Sequence, residues 1–303
     1  MQNTASASPS AGNPPKLRQR GDSEINAAAS IDLPDHGLRP PRARGEIVVT
    51  AVPRGGRSRI GRLRQQGSFK ALFPHGARQS LQAVFLNTAG GITGGDRFLL
   101  TAGAETGAHL VMTSQAAERA YRAQPDEVGR LTSRLSVAGG ARLDWLPQET
   151  ILFEGAALER RIEADVAGDG RFLAVEPVIF GRAAMGEVVH DASLTDHWRI
   201  RRDGRLIYAD SLRLSGDIAA RLADPAVADG GMALASMVLV APGAEDFCSQ
   251  LNDLMGEAGA ASAPRDGVLV ARFVAADGFA LRRALIPAIR LLTGDDIPRP
   301  WML

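Results

Sequence analysis

Two carboxylates lie inside apolar segments, where their chemistry is constrained most strongly. Glu176 lies within Phe172–Phe180 and precedes Pro177, and Glu187 lies within Met185–Val189. Burying an unpaired charge is costly, so such a group protonates, pairs with a cationic side chain or serves a cation. Since proline cannot donate to a strand ladder, Pro177 also indicates an edge or a bulge.

Two explanations remain open for these carboxylates. Either acid pairs with an arginine such as Arg182 or Arg199, or it offers a site to a passing metal ion. The histidines show no spacing typical of a preformed metal site: His36, His75, His109, His190 and His197. Any metal site is therefore expected to be weak, made of scattered carboxylates and single imidazoles that release their ion.

A glycine-rich segment, Leu86–Asp96, is the most unusual stretch of the sequence. Paired glycines suggest a phosphate-binding loop, but no Lys-Ser/Thr follows and the spacing does not match a dinucleotide fingerprint. The structural alternative is a tight connection between strands in which Asp96 makes an Asx-type turn bond.

The polar segment Thr113–Arg122 places arginines around a tyrosine. Tyrosine and arginine are enriched in the energetic centres of protein interfaces, so the segment is either a docking surface or a solvated loop. The candidate interaction residues are Glu118, Arg119, Tyr121 and Arg122.

Composition restricts the class of protein. The 303 residues are 45% hydrophobic and carry 35 basic against 34 acidic side chains, so the overall charge favours neither nucleic acid nor an anionic membrane. One cysteine, Cys248, excludes an internal disulfide framework and fits a reducing compartment. We found no membrane-length apolar run or secretion signal and expect a cytoplasmic protein.

Short apolar or alternating segments bounded by turn residues predict strands through most of the chain. Because no helical pattern separates consecutive strands, a doubly wound α/β fold is not expected. The predicted strands are Glu46–Val52, Ser80–Leu86, Arg97–Thr101, Ala108–Thr113, Leu131–Val137, Ile162–Val166, Phe172–Phe180, Thr195–Arg202, Leu206–Leu214, Met232–Val240 and Gly267–Val274.

Helical spacing appears in two segments near the C-terminus, Ala244–Ala258 and Phe279–Thr293. Pro287 is expected to kink or divide the second helix. Both helices are expected to pack on the sheet. In the competing interpretation, one of them also offers a surface to a partner, with Phe247 and Leu251 as candidate contacts.

Residues 1–44 are rich in Ser, Ala, Asn and Pro and contain few large apolar side chains. Such a segment buries too little surface to offset the entropy lost on ordering. We therefore predict a flexible tail over 1–44 and a single β domain over 45–303.

Five ordered segments resemble the urease accessory protein D family (UreD, also called UreH). They are Gly61–Gly67, Asn87–Asp96, Thr113–Arg122, Trp145–Phe153 and Gly186–Glu187. The resemblance covers the chain from about Glu46 to the C-terminus, and the tail has no counterpart in the common core.

The resemblance implies a mainly β fold, with two layers of strands in a helical arrangement and two α-helices toward the C-terminus. It also implies a protein that is not an enzyme and holds no tightly bound cofactor. Family members bind apo-urease with the F accessory protein and the G accessory GTPase, and they help deliver Ni²⁺ to the dinickel centre. Asp96, Glu176 and Glu187 match carboxylates proposed to line a transient nickel path in the family.

Two other functions remain as alternatives. The first is a pure adaptor for urease assembly that does not contact nickel. The second is a carboxylate-dependent hydrolase that uses Glu149 and Glu176 as an acid and base pair.

Overall fold

A computed structural model describes residues 41–75, 79–294 and 297–302. Residues 1–40 of the predicted tail lie outside this described part, so the tail stays a prediction. Residues 41–44 are described, and the first strand begins at Arg44. In this connection the backbone N–H of Ala43 donates to the Asp96 carboxylate at 2.7 Å, and Arg42 pairs with Glu127.

The described residues form the following strands, in chain order: β1 (Arg44–Arg54), β2 (Arg57–Gly67), β3 (Phe69–Leu72), β4 (Leu81–Asn87), β5 (Arg97–Ala104), β6 (His109–Ser114), β7 (Glu118–Ala120), β8 (Gly129–Val137), β9 (Arg142–Trp145), β10 (Thr150–Leu152), β11 (Ala157–Val166), β12 (Arg171–Phe180), β13 (Ala192–Arg202), β14 (Arg205–Gly216), β15 (Ala233–Val240), β16 (Gly259–Arg265) and β17 (Val268–Ala275). Each predicted strand has a counterpart here, so that part of the sequence analysis is confirmed.

The strands form two sheets. Sheet A has the order β14-β13-β11-β8-β5-β1-β2. Sheet B has the order β16-β17-β15-β12-β9-β6-β4-β3, with the short strands β10 and β7 added beside β12.

The central strands of both sheets are parallel because the chain alternates between the sheets. It passes from β5 in sheet A to β6 in sheet B, then to β8, β9, β11, β12 and β13. Parallel neighbours need a long crossover, and here the crossover is a strand of the opposite sheet rather than a helix. This winding confirms the mainly β, helical arrangement of two layers.

The main core lies between the two sheets. Phe69 stacks on Phe98 with ring centroids 4.8 Å apart, and Phe85 stacks on Trp145 at 5.5 Å. Each such side chain contributes about 2–3 kcal/mol by leaving water. The alternation of apolar and polar residues along β11 and β13 turns one face of each strand toward this core.

A second core lies on the opposite face of sheet B, under the helices α2 (Cys248–Met255) and α3 (Gly278–Thr293). Both predicted C-terminal helices are present and pack on the sheet. A further short helix, α1 (Ile218–Leu222), was not predicted. Among the described residues, no helix combines the length and apolar composition that crossing a membrane requires.

Pro287 was expected to kink or divide the last helix, and division is wrong, because α3 continues through it. Asp277 caps the N-terminus by accepting from the Ala280 N–H at 2.8 Å, and Gly294 ends the helix in the left-handed conformation. These caps and the buried face, which includes Leu285 and Ile289, outweigh the loss of one helical hydrogen bond at proline.

Candidate functional site

A polar cluster lies in the core between the sheets. Arg160 donates from Nη1 to the Glu176 carboxylate at 2.7 Å and from Nη2 to Asp196 at 2.5 Å. Trp145 donates from Nε1 to the other oxygen of Glu176 at 2.7 Å, and Arg160 also donates to the Thr150 hydroxyl at 3.1 Å. We call Arg160, Glu176 and Asp196 the buried triad.

Strand register brings the buried triad together. Arg160 on β11 and Asp196 on β13 are direct partners in sheet A, and both side chains face the interior. Glu176 reaches them from β12 in sheet B. Of the triad, only Glu176 was predicted from the sequence. Arg160 lies two residues before Ile162 on the same strand, so both side chains point to the same, buried face. This alternation could have identified Arg160.

Charge in the buried triad is not balanced, since two carboxylates share one guanidinium. Burial raises the pKa of Glu176, and Arg160 partly reverses that shift. The buried polar atoms that find no hydrogen-bond partner within the described chain include Arg160 Nε and Asp196 Oδ1 of the triad and Trp198 Nε1, two residues further along β13. Native interiors rarely leave such groups unsatisfied, so these atoms have unused capacity to bind a water molecule or an ion.

Asp96 is also buried, but backbone amides satisfy its carboxylate. Oδ1 accepts from Ala43 N–H at 2.7 Å and Oδ2 accepts from Thr93 N–H at 2.9 Å. The structure thus shows a turn bond to the residue three positions earlier rather than the Asx-type bond expected of Asp96, and Asn87 makes the Asx-type bond by accepting from the Ala89 N–H at 3.0 Å. The bond from Ala43 holds the start of β1 against the loop before β5.

Glu187 lies in the loop after β12 and forms a bidentate pair with Arg182, at 2.9 and 3.0 Å. Hydrogen bonding from Arg182 lowers the pKa of Glu187. The arginine alternative is therefore the one that the structure shows for Glu187, and for Glu176 the partner is Arg160 rather than Arg182 or Arg199.

The structure does not bring Asp96, Glu176 and Glu187 together, because they bind separate partners on separate elements. Within the described residues there is no group of three or more acidic, histidine or cysteine side chains able to hold a metal. The hydrolase pair is likewise not formed, since Glu149 pairs with Arg282 at 3.1 Å and Glu176 pairs with Arg160.

One interaction candidate, Tyr121, lies at an exposed surface. The Tyr121 hydroxyl donates to the Gly90 carbonyl at 3.2 Å, and its ring meets Phe153 edge-on at 5.2 Å. Arg182 lies 4.6 Å above the Phe153 ring. Met185 and Val188, in the loop that follows Arg182, are 74% and 48% exposed. We call Tyr121, Phe153, Arg182, Met185 and Val188 the Tyr121 patch.

Arg119 and Arg122 are exposed around Tyr121, on β7 and directly after it. Glu118 is partly buried beside a cavity of about 160 Å³ that Asn87 and Ser114 also line. Burial raises the pKa of Glu118 to about 7, against hydrogen bonds from the Arg119 backbone and Asn87 that lower it. Glu118 therefore titrates near neutral pH.

The helix α2 does not present the predicted docking face. Leu251 is 0% exposed and packs in the second core, so its assignment as an interaction residue is wrong. Phe247 is half-buried, with Arg171 5.9 Å from its ring. Helical spacing identified the apolar face, but that face packs against sheet B.

Comparison with known proteins places the chain among relatives of matching length. The family described as UreD urease accessory protein matches residues 43–302. A urease accessory protein UreD of Ruegeria pomeroyi is 48% identical over 246 residues, which cover 81% of this chain and 96% of the relative. The corresponding protein of Roseobacter denitrificans is 47% identical over 266 residues, covering 88% and 97%.

Proposed function

The chain belongs to the UreD family of urease accessory proteins and acts in urease maturation, and on that premise we propose how it acts. It is a non-catalytic, cytoplasmic scaffold that binds apo-urease together with the F and G accessory proteins. It also helps to route Ni²⁺, as a transient cargo, toward the dinickel active site of urease.

The observation that carries the nickel part of the proposal is the buried triad. The core places two carboxyl groups against one guanidinium. Burial favours the protonated form of Glu176, and a cation that displaces this proton would meet two carboxylates with one guanidinium between them, a net negative charge. Arg160 already neutralises part of that charge, so the attraction stays weak. Weak binding suits a relay, because a high-affinity site would retain the ion.

The test is urease activation with Glu176→Gln. The chain is coexpressed with urease and the F and G proteins, and nickel per purified urease active site is measured by mass spectrometry. We expect lower nickel content with unchanged recovery of the complex. Glu163→Gln, the same chemical change on the outer face of β11, is the matched control and should load nickel normally.

Equal nickel loading by Glu176→Gln and the wild type would exclude the triad from the route. Loss of the complex in Glu176→Gln would point to a structural role instead. Both results would leave the adaptor function as the better account.

The Tyr121 patch favours the adaptor function as a second candidate. Exposed Met and Tyr side chains with a nearby arginine are typical of the centres of protein interfaces. We expect Met185→Ser to reduce copurification of a partner by about tenfold, the effect of losing a contact of about 1.4 kcal/mol. Leu206→Ser, at a 43% exposed apolar residue on β14, is the control.

If Met185→Ser copurifies with its partners as the wild type does, the Tyr121 patch is not the docking surface. If it loses its partners while the folded protein stays intact, the patch mediates assembly whether or not nickel passes through the triad.

A further inference from the structure

Three arginines form a row on the outer, solvent-facing side of sheet A. Arg44 on β1, Arg97 on β5 and Arg130 on β8 occupy the same register position on adjacent parallel strands. Adjacent strands lie about 4.8 Å apart, so the row spans about 10 Å. Like charges placed directly opposite each other destabilise a sheet. We call these residues the arginine row.

One end of the arginine row is neutralised and the rest is not. Arg130 pairs with Glu159, the next residue in the same register on β11, at 3.2 Å. Arg44 and Arg97 are exposed and have no acidic partner in the part of the chain that the structure describes. A local arrangement that opposes stability without internal compensation is expected where a ligand supplies the compensation.

The row lines a groove of about 870 Å³ that also includes Gln66, Thr132 and one carboxylate, Glu46, which pairs with Arg64 at 3.7 Å. Glycines shape its end near β2. Gly45 and Gly67 are cross-strand partners, and Gly67 has φ +65°. A Cβ at Gly67 would lie 1.9 Å from the Arg44 carbonyl oxygen, so a larger residue cannot occupy this position without moving β1.

We propose that the arginine row is the docking site for an acidic α-helix of a partner protein, lying across the strands. This inference rests on the proposed scaffold function and specifies the chemistry of one partner. Carboxylates at helix positions i, i+3 and i+7 advance about 4.5 Å and about 10.5 Å along the axis, which matches the row. An extended acidic segment places alternate carboxylates about 6.7 Å apart and does not match it.

Two fluorescent peptides of identical composition test the proposal with the full chain. One is a hydrocarbon-stapled helix with Glu at i, i+3 and i+7. The other is a stapled helix whose three Glu residues point to different sides. We expect the first to bind at least about fivefold more tightly, and Arg97→Gln to remove that preference, because its charge-assisted hydrogen bonds are lost. Arg57→Gln, at the far end of β2, should bind as the wild type does.

Equal binding of both peptides, or equal binding by Arg97→Gln, would overturn the proposal. ATP and a short DNA duplex serve as competitors, and stronger Arg97-dependent binding of either would assign the row to phosphate instead. If the two peptides bind equally while Glu176→Gln still lowers the nickel content of urease, the docking site is rejected and the proposed function is retained.

Discussion

Replacing Arg160 by methionine removes the cation that both buried carboxylates share. Methionine retains most of the aliphatic volume of the arginine, so the change tests charge more than packing. Breaking a buried ion pair by removing one partner costs about 3–5 kcal/mol, because an uncompensated charge remains. Stabilities of single domains are about 5–15 kcal/mol, so this loss is a large fraction of the total.

The stability lost in Arg160→Met should become smaller as the pH falls. Without Arg160, Glu176 loses the charge that opposes desolvation, so its folded-state pKa, already raised by burial, rises further above that of the unfolded chain. The folded state then binds more protons, and stability increases as pH falls. Protonation of Glu176 can recover up to about 2.7 kcal/mol over two pH units below its folded-state pKa, until the pKa of the unfolded chain is reached.

Urea unfolding followed by circular dichroism at pH 5.5 and pH 7.5 measures both effects. Glu176→Gln is the comparison, since it leaves Arg160 and Asp196 as a one-to-one pair and keeps one of the two hydrogen bonds. We expect it to lie within about 2 kcal/mol of the wild type. A cost below about 1 kcal/mol for Arg160→Met, independent of pH, would refute the description of the triad as a charge-coupled unit.

Two further predictions concern the raised pKa of Glu118 and the burial of Leu251. Because the pKa of Glu118 is raised to about 7, the folded state holds a proton there that the unfolded chain loses near pH 4.5, so stability should fall as pH rises from 5 to 8. Glu118→Gln should flatten that dependence by about 1–3 kcal/mol in urea unfolding, and an unchanged slope would contradict it. Leu251→Ala should cost about 2–5 kcal/mol in the same assay. Leu254→Ala on the 45% exposed position of α2 should cost under about 1 kcal/mol, and equal costs would contradict the burial of Leu251.

Strand positions could be predicted because alternation and turn residues are local signals. Ile162, Ala164 and Val166 were placed correctly on one face, and that face is buried. Pairing was not predictable in the same way. The parallel contact of β11 with β13 depends on the strand of sheet B between them in the chain, and no local pattern encodes it.

In the candidate site, too, local signals could be predicted from the sequence and long-range pairing could not. Glu176 could be found because a carboxylate in an apolar segment is a local anomaly. Its partners Arg160 and Asp196 also occupy inward-facing positions of alternating strands, but only the pairing of β11 with β13, which no local pattern encodes, brings the two side chains together. The assignment of Leu251 as an interaction residue was wrong for a different reason. The sequence of an amphipathic helix reveals its apolar face but not whether sheet B or another protein covers that face.

The expectation of a common carboxylate path also depended on non-local information. Asp96, Glu176 and Glu187 are each predictable as unusual acids, but the backbone amides and arginines that satisfy them come from other elements. The structure replaces three equivalent candidates with one buried triad, in which Glu176 is the member found from sequence.

The most direct test of the account is the nickel content of urease activated in the presence of Glu176→Gln, with complex recovery measured on the same samples. The account predicts reduced nickel per active site with the F and G proteins and urease still copurifying, while Glu163→Gln matches the wild type. Full nickel loading by Glu176→Gln would contradict a role for the triad in nickel transfer.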